Sequence, residues 1–515
     1  MKFPASSCSH LFLLLTLSQA LHAGEPTSAV PSTPLTLDAA AQRALTQSPA
    51  VRISEAEIDR REGTREQASG AFDWIVTAGA SRIRERTPYV DGLGRDAVAA
   101  SNTTAYSVGA AHRLRNGIVV QPSVDVAIPE HESPASPTLG ASQLNLQIVV
   151  PLLRGLGQDS SGAAEAAARG DVEVARLLYR HTLAAQVFAT AQAYWFARAA
   201  EAALDVRRDD EERARRLHEG IRVLVDTRMF PPSFMLQSEA NLRQKSTSRQ
   251  DAEITALDAR FELSRTMGLG ADGIAAATLP SDPLPAAAIA SEADRDQEAR
   301  LRWVTRALNQ RADYLALRQS EVPLQILTRQ AELDLKPRVD LGVRAGYAGL
   351  SRNDHLLTPL SRRLTGANGE VNVALEWPVT NTYQKGLLRE RRASRRQAEL
   401  QTAQAQSDVA AQVCSALAAV RLRAGMMENA TATTHIARQA VDQEQQKLKA
   451  GESSVLDVIN LENLLSSARL AEIDAQAGYA IAVARLRFAV GEIFTAEQAD
   501  HSFQLTNLAV PPDEK

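Results

Sequence analysis

Ala44-Leu45-Thr46-Gln47-Ser48-Pro49-Ala50 and Ala307-Leu308-Asn309-Gln310-Arg311-Ala312-Asp313 are two versions of one segment. A second pair of landmarks closes each half: Leu263-Ser264-Arg265-Thr266-Met267-Gly268 and Leu486-Arg487-Phe488-Ala489-Val490-Gly491. Between the landmarks each half runs helix, strands, a very long helix, a turn and a shorter helix. Such a unit is far longer than the 20–50 residues of solenoid repeats. It reads as a duplicated half-subunit, and the order of its parts suggests a pipe rather than a catalyst. The halves span 35–278 and 298–495, joined by a Pro-rich linker over 279–297 and followed by a tail over 496–515.

Composition agrees with long packed helices. Of 515 residues 44% are hydrophobic, but only 4% are aromatic; alanine, the best helix former, is plentiful. A net charge of −4 gives no reason to expect nucleic acid. Lys2, the apolar run Leu11–Leu17 and Leu21-His22-Ala23 read as a signal peptide over 1–23, followed by a loose leader over 24–34. That run is much shorter than the ~20 residues of a spanning helix. Cys8 lies ahead of it, badly placed for lipidation. Cleavage would leave Cys414 alone, with no partner for an intramolecular disulfide.

Helical spacing over 35–69 gives way at Phe72 to a period of two. Phe72, Trp74, Val76, Ala78 and Ala80 share one face, against Asp73, Thr77, Gly79 and Ser81. Strands over about 72–84, 142–150, 338–347 and 370–377 all alternate in this way. Nine or so residues, apolar on one side and polar on the other, suit a membrane β-strand; a half-exposed soluble sheet alternates identically. A further pair, Tyr106–Leu114 and Ile118–Ile128, flanks Asn116-Gly117, a strong hairpin signal. It has no counterpart in the second half. The hairpin over 106–128 is expected as an insertion at the outer face, or else as added wall.

Helices over 158–225 and 380–450 run without proline for about 100–105 Å each, at 1.5 Å per residue. Shorter helices cover 233–267 and 454–490, with 298–334 opening the second half. Two short helices laid end to end match one long one, as in the wall of a tube. Pro323 should kink the helix that contains it.

The order of elements resembles the TolC-like outer membrane channel family over nearly the whole chain from 35 to 495. The most specific stretch is Lys449-Ala450-Gly451-Glu452-Ser453-Ser454-Val455-Leu456-Asp457-Val458-Ile459-Asn460, similar to the family's helix turn. Gln147-Ile148-Val149-Val150-Pro151 and Glu376-Trp377-Pro378-Val379 resemble its strand exits. The resemblance implies an α+β membrane protein. Three identical chains, each built of two structural repeats, would form a homotrimer. Four strands per chain would make a 12-stranded transmembrane β-barrel, continuous with a long periplasmic α-helical barrel. It implies docking on a periplasmic adaptor protein and an inner-membrane transporter, and export by efflux or type I secretion. Two to four strands cannot close a barrel, and sheet edges must be satisfied in lipid, so several chains must share one.

By the family pattern Asp457 lies just past the tunnel-end turn, where acidic side chains ring the axis and would draw cations. Asn460 stands where the family often has a second acid. The plainer reading is that Asp457 caps its helix. Phe234, the first-half counterpart, would form an apolar constriction or pack between helices. Pro231, Pro232, Gly451, Glu452 and Ser453 are candidate adaptor contacts. Trp74, Tyr347 and Trp377 suit interfacial aromatic girdles or core packing. Lys385, Arg389, Arg391, Arg392, Arg395 and Arg396 read as a solvated helix face or a charged collar.

No enzyme is expected. Gly268-Leu269-Gly270-Ala271-Asp272-Gly273 matches a dinucleotide-binding string but follows a helix, not a strand. The chain has no HExxH, CxxC, Walker loop or GxSxG, and its histidines lack metal-ligand spacing; no cofactor is implied. The competing reading is a periplasmic coiled-coil scaffold without a channel, which would need a core to cover the apolar strand faces.

Overall fold

The computed structural model describes residues 35–90, 92–131, 140–229, 231–275, 279–286, 295–351, 365–450, 452–497, 503–505, 507–508 and 510–512. The signal peptide and leader readings, Phe230 and Gly451 lie outside them.

The first repeat opens with α1 (Leu37–Gln47) and α2 (Pro49–Ser69). Four strands follow: β1 (Ile75–Val90), β2 (Asp96–Arg113), β3 (Val119–His131) and β4 (Gly140–Pro151). A short α3 (Gln158–Ser161) leads into α4 (Ala163–Asp226), and then come α5 (Ser233–Thr266) and α6 (Ala271–Ala275). The second repeat holds α7 (Gln297–Gln310), α8 (Ala312–Leu333), β5 (Arg338–Ser351), β6 (Thr365–Glu376), α9 (Thr382–Ala450) and α10 (Val455–Val490). β7 (Phe494–Glu497) and β8 (Phe503–Leu505) pair at the C-terminal end.

The helix expected over 35–69 is divided. Ser48 adopts an extended conformation, φ −62° and ψ 127°, between α1 and α2. Arg311 does the same between α7 and α8, at φ −68° and ψ 117°. Ser48 precedes Pro49, and a residue before proline is pushed out of the helical region; Arg311 has no such excuse and is held by its contacts. Each kink receives the closing glycine of its own repeat. Gly268 has φ +77°, and a Cβ there would lie 2.6 Å from the backbone of Gln47 and Ser48. Gly491 has φ +89°, and a Cβ would lie 3.1 Å from Gln310 and Arg311. The two landmarks of each repeat therefore touch in space, and only glycine fits the contact.

The long helices have 64 and 69 residues, about 96 and 104 Å. α9 buries Val409, Val413, Ala416, Val420, Ala424 and Met427, three or four residues apart. This is the narrow stripe of paired helices. Against it pack Trp303 and Ala307 of α7 and Tyr479, Val483 and Leu486 of α10. The first-repeat core is built likewise from Val187, Ala191 and Tyr194 of α4, Leu37 and Ala41 of α1, and Leu263 of α5. The Tyr194 hydroxyl donates to the Leu35 carbonyl at 2.9 Å and accepts from the Ser281 and Asp282 amides, pinning the linker to α4. Burial pushes this phenol up to about 12. Pro323 sits buried inside α8 without ending it, against Gly170 of α4.

The strands form one antiparallel sheet in chain order, β1 to β6. The hairpin read at the outer face is a correction. β2 and β3 are full members of the sheet between β1 and β4. Their Asn-Gly turn lies at the helical end instead. Asn116 accepts from the Gly157 amide at 2.9 Å, and Arg115 makes a two-pronged contact of 2.7 and 2.9 Å with Glu165 of α4. The reason is directional: β1 leaves the helices, so β2 must bring the chain back to them before β3 can leave again. Six strands per chain also replace the four that the resemblance implies.

Candidate functional site

Two regions could bear on conduction: the sheet, and the turns at the far end of the helices.

Directly paired residues of an antiparallel sheet share a face. One row across all six strands is Ala78, Val108, Val124, Leu144, Tyr347 and Ala367. The next row, on the opposite face, is Gly79, Ser107, Asp125, Gln143, Ala348 and Gly366. Alternation continues toward the helical end of the strands, whereas farther out on β1 the same side carries Arg82, Arg84 and Arg86. Val76, Val371, Val373 and Leu375 stand out on the apolar side, each at least 65% exposed. The polar side carries Thr77, Ser123, Asn145 and Asn368. Its side chains are linked: Ser123 and Asn145 donate to Asp125 at 3.1 and 3.3 Å, and Gln143 to Asn145 at 2.8 Å. Arg344 pairs with Glu370 at 3.3 Å. No helix covers the apolar face of the sheet among the described residues; its large side chains are mostly exposed or half-buried, Val126 being buried.

Trp74 immediately precedes β1 and Trp377 immediately follows β6, so both mark the helical end of the sheet. They are 56% and 64% exposed. Trp74 stacks on His112 with centroids 4.7 Å apart. Tyr347 stands apart from them, within the apolar rows, its hydroxyl donating to Thr365 at 2.7 Å. The basic run at the start of α9 is largely exposed, with Arg392 paired to Glu332 and Arg395 to Glu399, each at 2.9 Å.

At the far end, α4 finishes with Arg228 in a left-handed conformation, φ 58°, followed by exposed Met229. Pro231 and Pro232 are exposed and cap α5 through backbone carbonyls, which accept from the Phe234 and Met235 amides. Phe234 is half-buried against Ile221, Val455 and Ile459. This packs the first-repeat turn onto the second. The α9–α10 turn is held differently. The Glu452 amide donates to the Lys447 carbonyl at 2.9 Å, and Ser453 donates to Glu444. Ser454 and Asp457 form a capping box. The Ser454 hydroxyl accepts from the Asp457 amide at 3.2 Å, and the Asp457 carboxylate accepts from the Ser454 hydroxyl at 2.6 Å. Asp457 and Asn460 are both exposed on α10.

Glu444 was missed in the sequence. Hydrogen bonds from Ser453 and Lys447 hold its carboxyl below the usual range, against the opposing charge of Asp457. With Glu452 at its tip, the turn thus carries three carboxylates per chain, Glu444 and Asp457 coming from its two flanking helices. Its only sequence signal was an acid one heptad before the turn, which any solvated helix would show. Also missed was a buried polar cluster where α4, α5, α9 and α10 meet. Lys245 donates to Asn463 at 2.7 Å, Ser466 donates to Asp210, and Gln445 donates to Glu462 at 3.2 Å. Burial raises the Glu462 carboxyl and lowers the Lys245 ammonium. Among the described residues no group of three or more His, Cys, Asp or Glu could hold a metal.

Residues 303–492 match the model of the family described as outer membrane efflux protein. Among curated proteins, none matches the chain. Several solved structures share its fold. VceC from Vibrio cholerae aligns with a TM-score of 0.64 at 15% identity, covering 88% of this chain and 96% of that one. CmeC from Campylobacter jejuni gives 0.65 at 12%, covering 88% and 85%. MtrE from Neisseria gonorrhoeae, crystallised in an open state, gives 0.61 at 16%, covering 88% and 88%. CmeC and MtrE are outer membrane channels, and VceC is an outer membrane protein. The chain thus matches the outer membrane efflux protein family over its second repeat, and over 88% of its length it has the fold of these solved structures.

Proposed function

We propose that this chain forms the exit duct of a tripartite efflux or type I secretion assembly. Three copies share one transmembrane barrel, and their helices form a periplasmic tunnel. Cargo passes without chemistry, delivered by an inner-membrane transporter through a periplasmic adaptor.

The observation that carries this reading is the sheet. Toward the helices it has an apolar face across all six strands, giving way farther out on β1 to Arg82, Arg84 and Arg86; the other face is polar and hydrogen-bonded, and among the described residues both edges are open. In lipid such a sheet must close, and the apolar side must face outward. Its strands feed helices about 100 Å long, which suits a tunnel rather than a soluble sheet's support. The scaffold reading would need a core over the apolar face, and the described residues supply none.

Within the duct, Asp457 and Glu444 are the acids proposed to face the constriction, with Asn460 one turn on and Phe234 holding the two turns together. The exposed Pro231, Pro232 and Glu452, with half-buried Ser453, are the adaptor-facing tips. Trp74 and Trp377 would lie at the periplasmic boundary of the outer membrane, and Tyr347 within the lipid-facing rows. Two measurements test the reading: outer membrane fractionation and conductance in planar bilayers. A protein recovered wholly in soluble periplasm, with no channel activity, would overturn it.

A further inference from the structure

We infer that the barrel wall is built from six strands of each chain, so that three chains close an eighteen-stranded pore through β1–β6 edge pairing between neighbours. The inference rests on the trimeric duct proposed above and fixes how its wall is made.

The argument begins with β2 and β3, which could have been an appendage. They are not patterned as one. Both pair along most of their length, β2 with β1 and β3 with β4. Val108, Val124, Val126 and Ile128 continue the apolar face, and Ser107, Gly109, Ser123 and Asp125 continue the polar face. A flap over the mouth of the pore would have no reason to keep both faces in phase with four wall strands. A one-residue slip would invert every side chain, and no slip occurs in the row from Ala78 to Ala367. The polar network also crosses from β3 to β4, through Asn145 and Asp125.

The edges come next. Among the described residues no strand pairs beyond β1 or β6. Both edge strands are exposed along almost their whole length. β1 leaves the helices and β6 returns to them, so a β1 edge meets a neighbour's β6 edge antiparallel, as barrel closure requires. A second copy is therefore the occupant that fits both edges at once.

The stagger of the sheet gives independent support. In the row through Ala78 and Ala367, β1 begins three residues before the row and β6 ends nine residues after it. Both of these ends join helices, at one level of the molecule. Six residues of stagger over five inter-strand steps is about 20 Å along the strands against about 24 Å across them, a tilt of about 40°. That is the tilt of a transmembrane barrel. With the same spacing and tilt, eighteen strands enclose a backbone diameter of about 36 Å, against about 24 Å for twelve.

The test is electron cryo-microscopy of the full protein in lipid nanodiscs, with strands counted around the barrel. Eighteen strands are expected; a trimer with twelve, and β2–β3 outside the wall, overturns this inference and leaves the duct reading standing. A protein that is neither trimeric nor membrane-inserted overturns both. A second measurement needs no image. In a Cys414→Ala background, single cysteines at Val108, Val124 and Leu144 should resist a water-soluble maleimide in membranes, and cysteines at Ser107, Ser123 and Gln143 should react. If the β2 and β3 positions all react equally while the β4 pair alternates, the hairpin is not wall.

Discussion

The two repeats share one joint and secure it differently. In the first, Ser48 forms the kink and makes no side-chain capping hydrogen bond. Pro49 imposes the bend, and Gly268 seals it at 2.6 Å. In the second, no proline is present. Arg311 is buried instead, gripping Asp313 at 2.7 Å and Gln412 at 2.7 Å, with Gly491 seated more loosely at 3.1 Å. Although burial opposes it, Arg311 holds the Asp313 carboxyl below its usual range. One backbone shape is thus reached by covalent restriction in one half and by charge in the other. The far turns diverge too: α5 starts on prolines without a side-chain cap, and α10 starts on a capping box.

Four predictions sharpen this contrast, the largest first. Gly268→Ala places a methyl against main chain at a left-handed φ, and should cost about 2–5 kcal/mol of unfolding free energy. Gly491→Ala should cost about half as much; equal thermal midpoints for the two variants would contradict the difference in seating. Arg311→Gln leaves Asp313 without its partner and should cost about 2–4 kcal/mol, while Ser48→Ala should stay within about 0.5 kcal/mol. Denaturant unfolding of both variants measures the contrast directly.

At the far turn, Ser454→Ala should lose about 1 kcal/mol through the cap alone. Asp457→Asn removes charge from the proposed constriction. Single-channel recordings should show reduced cation selectivity and divalent block for Asp457→Asn but not for Ser454→Ala. If both behave like wild type, Asp457 is a cap and nothing more.

The smallest effect is a pH dependence. Burial raises the folded-state carboxyl of Glu462 above its unfolded value, with Arg213, Lys245 and Asp210 as its charged neighbours. Between those two values the folded protein binds the extra proton, so stability falls as pH rises from the unfolded value of about 4.5. Glu462→Gln should flatten this slope, raising the thermal midpoint at pH 8 and leaving it unchanged near pH 4. A parallel shift at both pH values would mean the variant acts through packing instead.

Much of the molecule was legible before folding was considered. The period-two runs around Val76, Leu144, Val343 and Val373 marked strands because one face must be apolar. The proline-free stretches marked the two long helices. The hairpin was legible as a hairpin from Asn116-Gly117, but not its position. Which end of a sheet a turn occupies depends on the direction of the strand before it, and β1 was read too short to show this. Arg311 and Glu444 were not singled out, because an Arg or Glu on a helix is ordinarily solvated. Only burial and a partner distinguish these two.

The sequence by itself determined the duplication, the two faces of every strand and the lengths of the helices, since these follow from local periodicity and from where proline and glycine fall. Tertiary structure alone decided that each closing glycine meets its own kink, that Arg311 is buried against Asp313 and Gln412, and that β2 and β3 join the sheet between β1 and β4. Those outcomes depend on partners distant in the chain or on side-chain geometry, and spacing along a sequence carries neither.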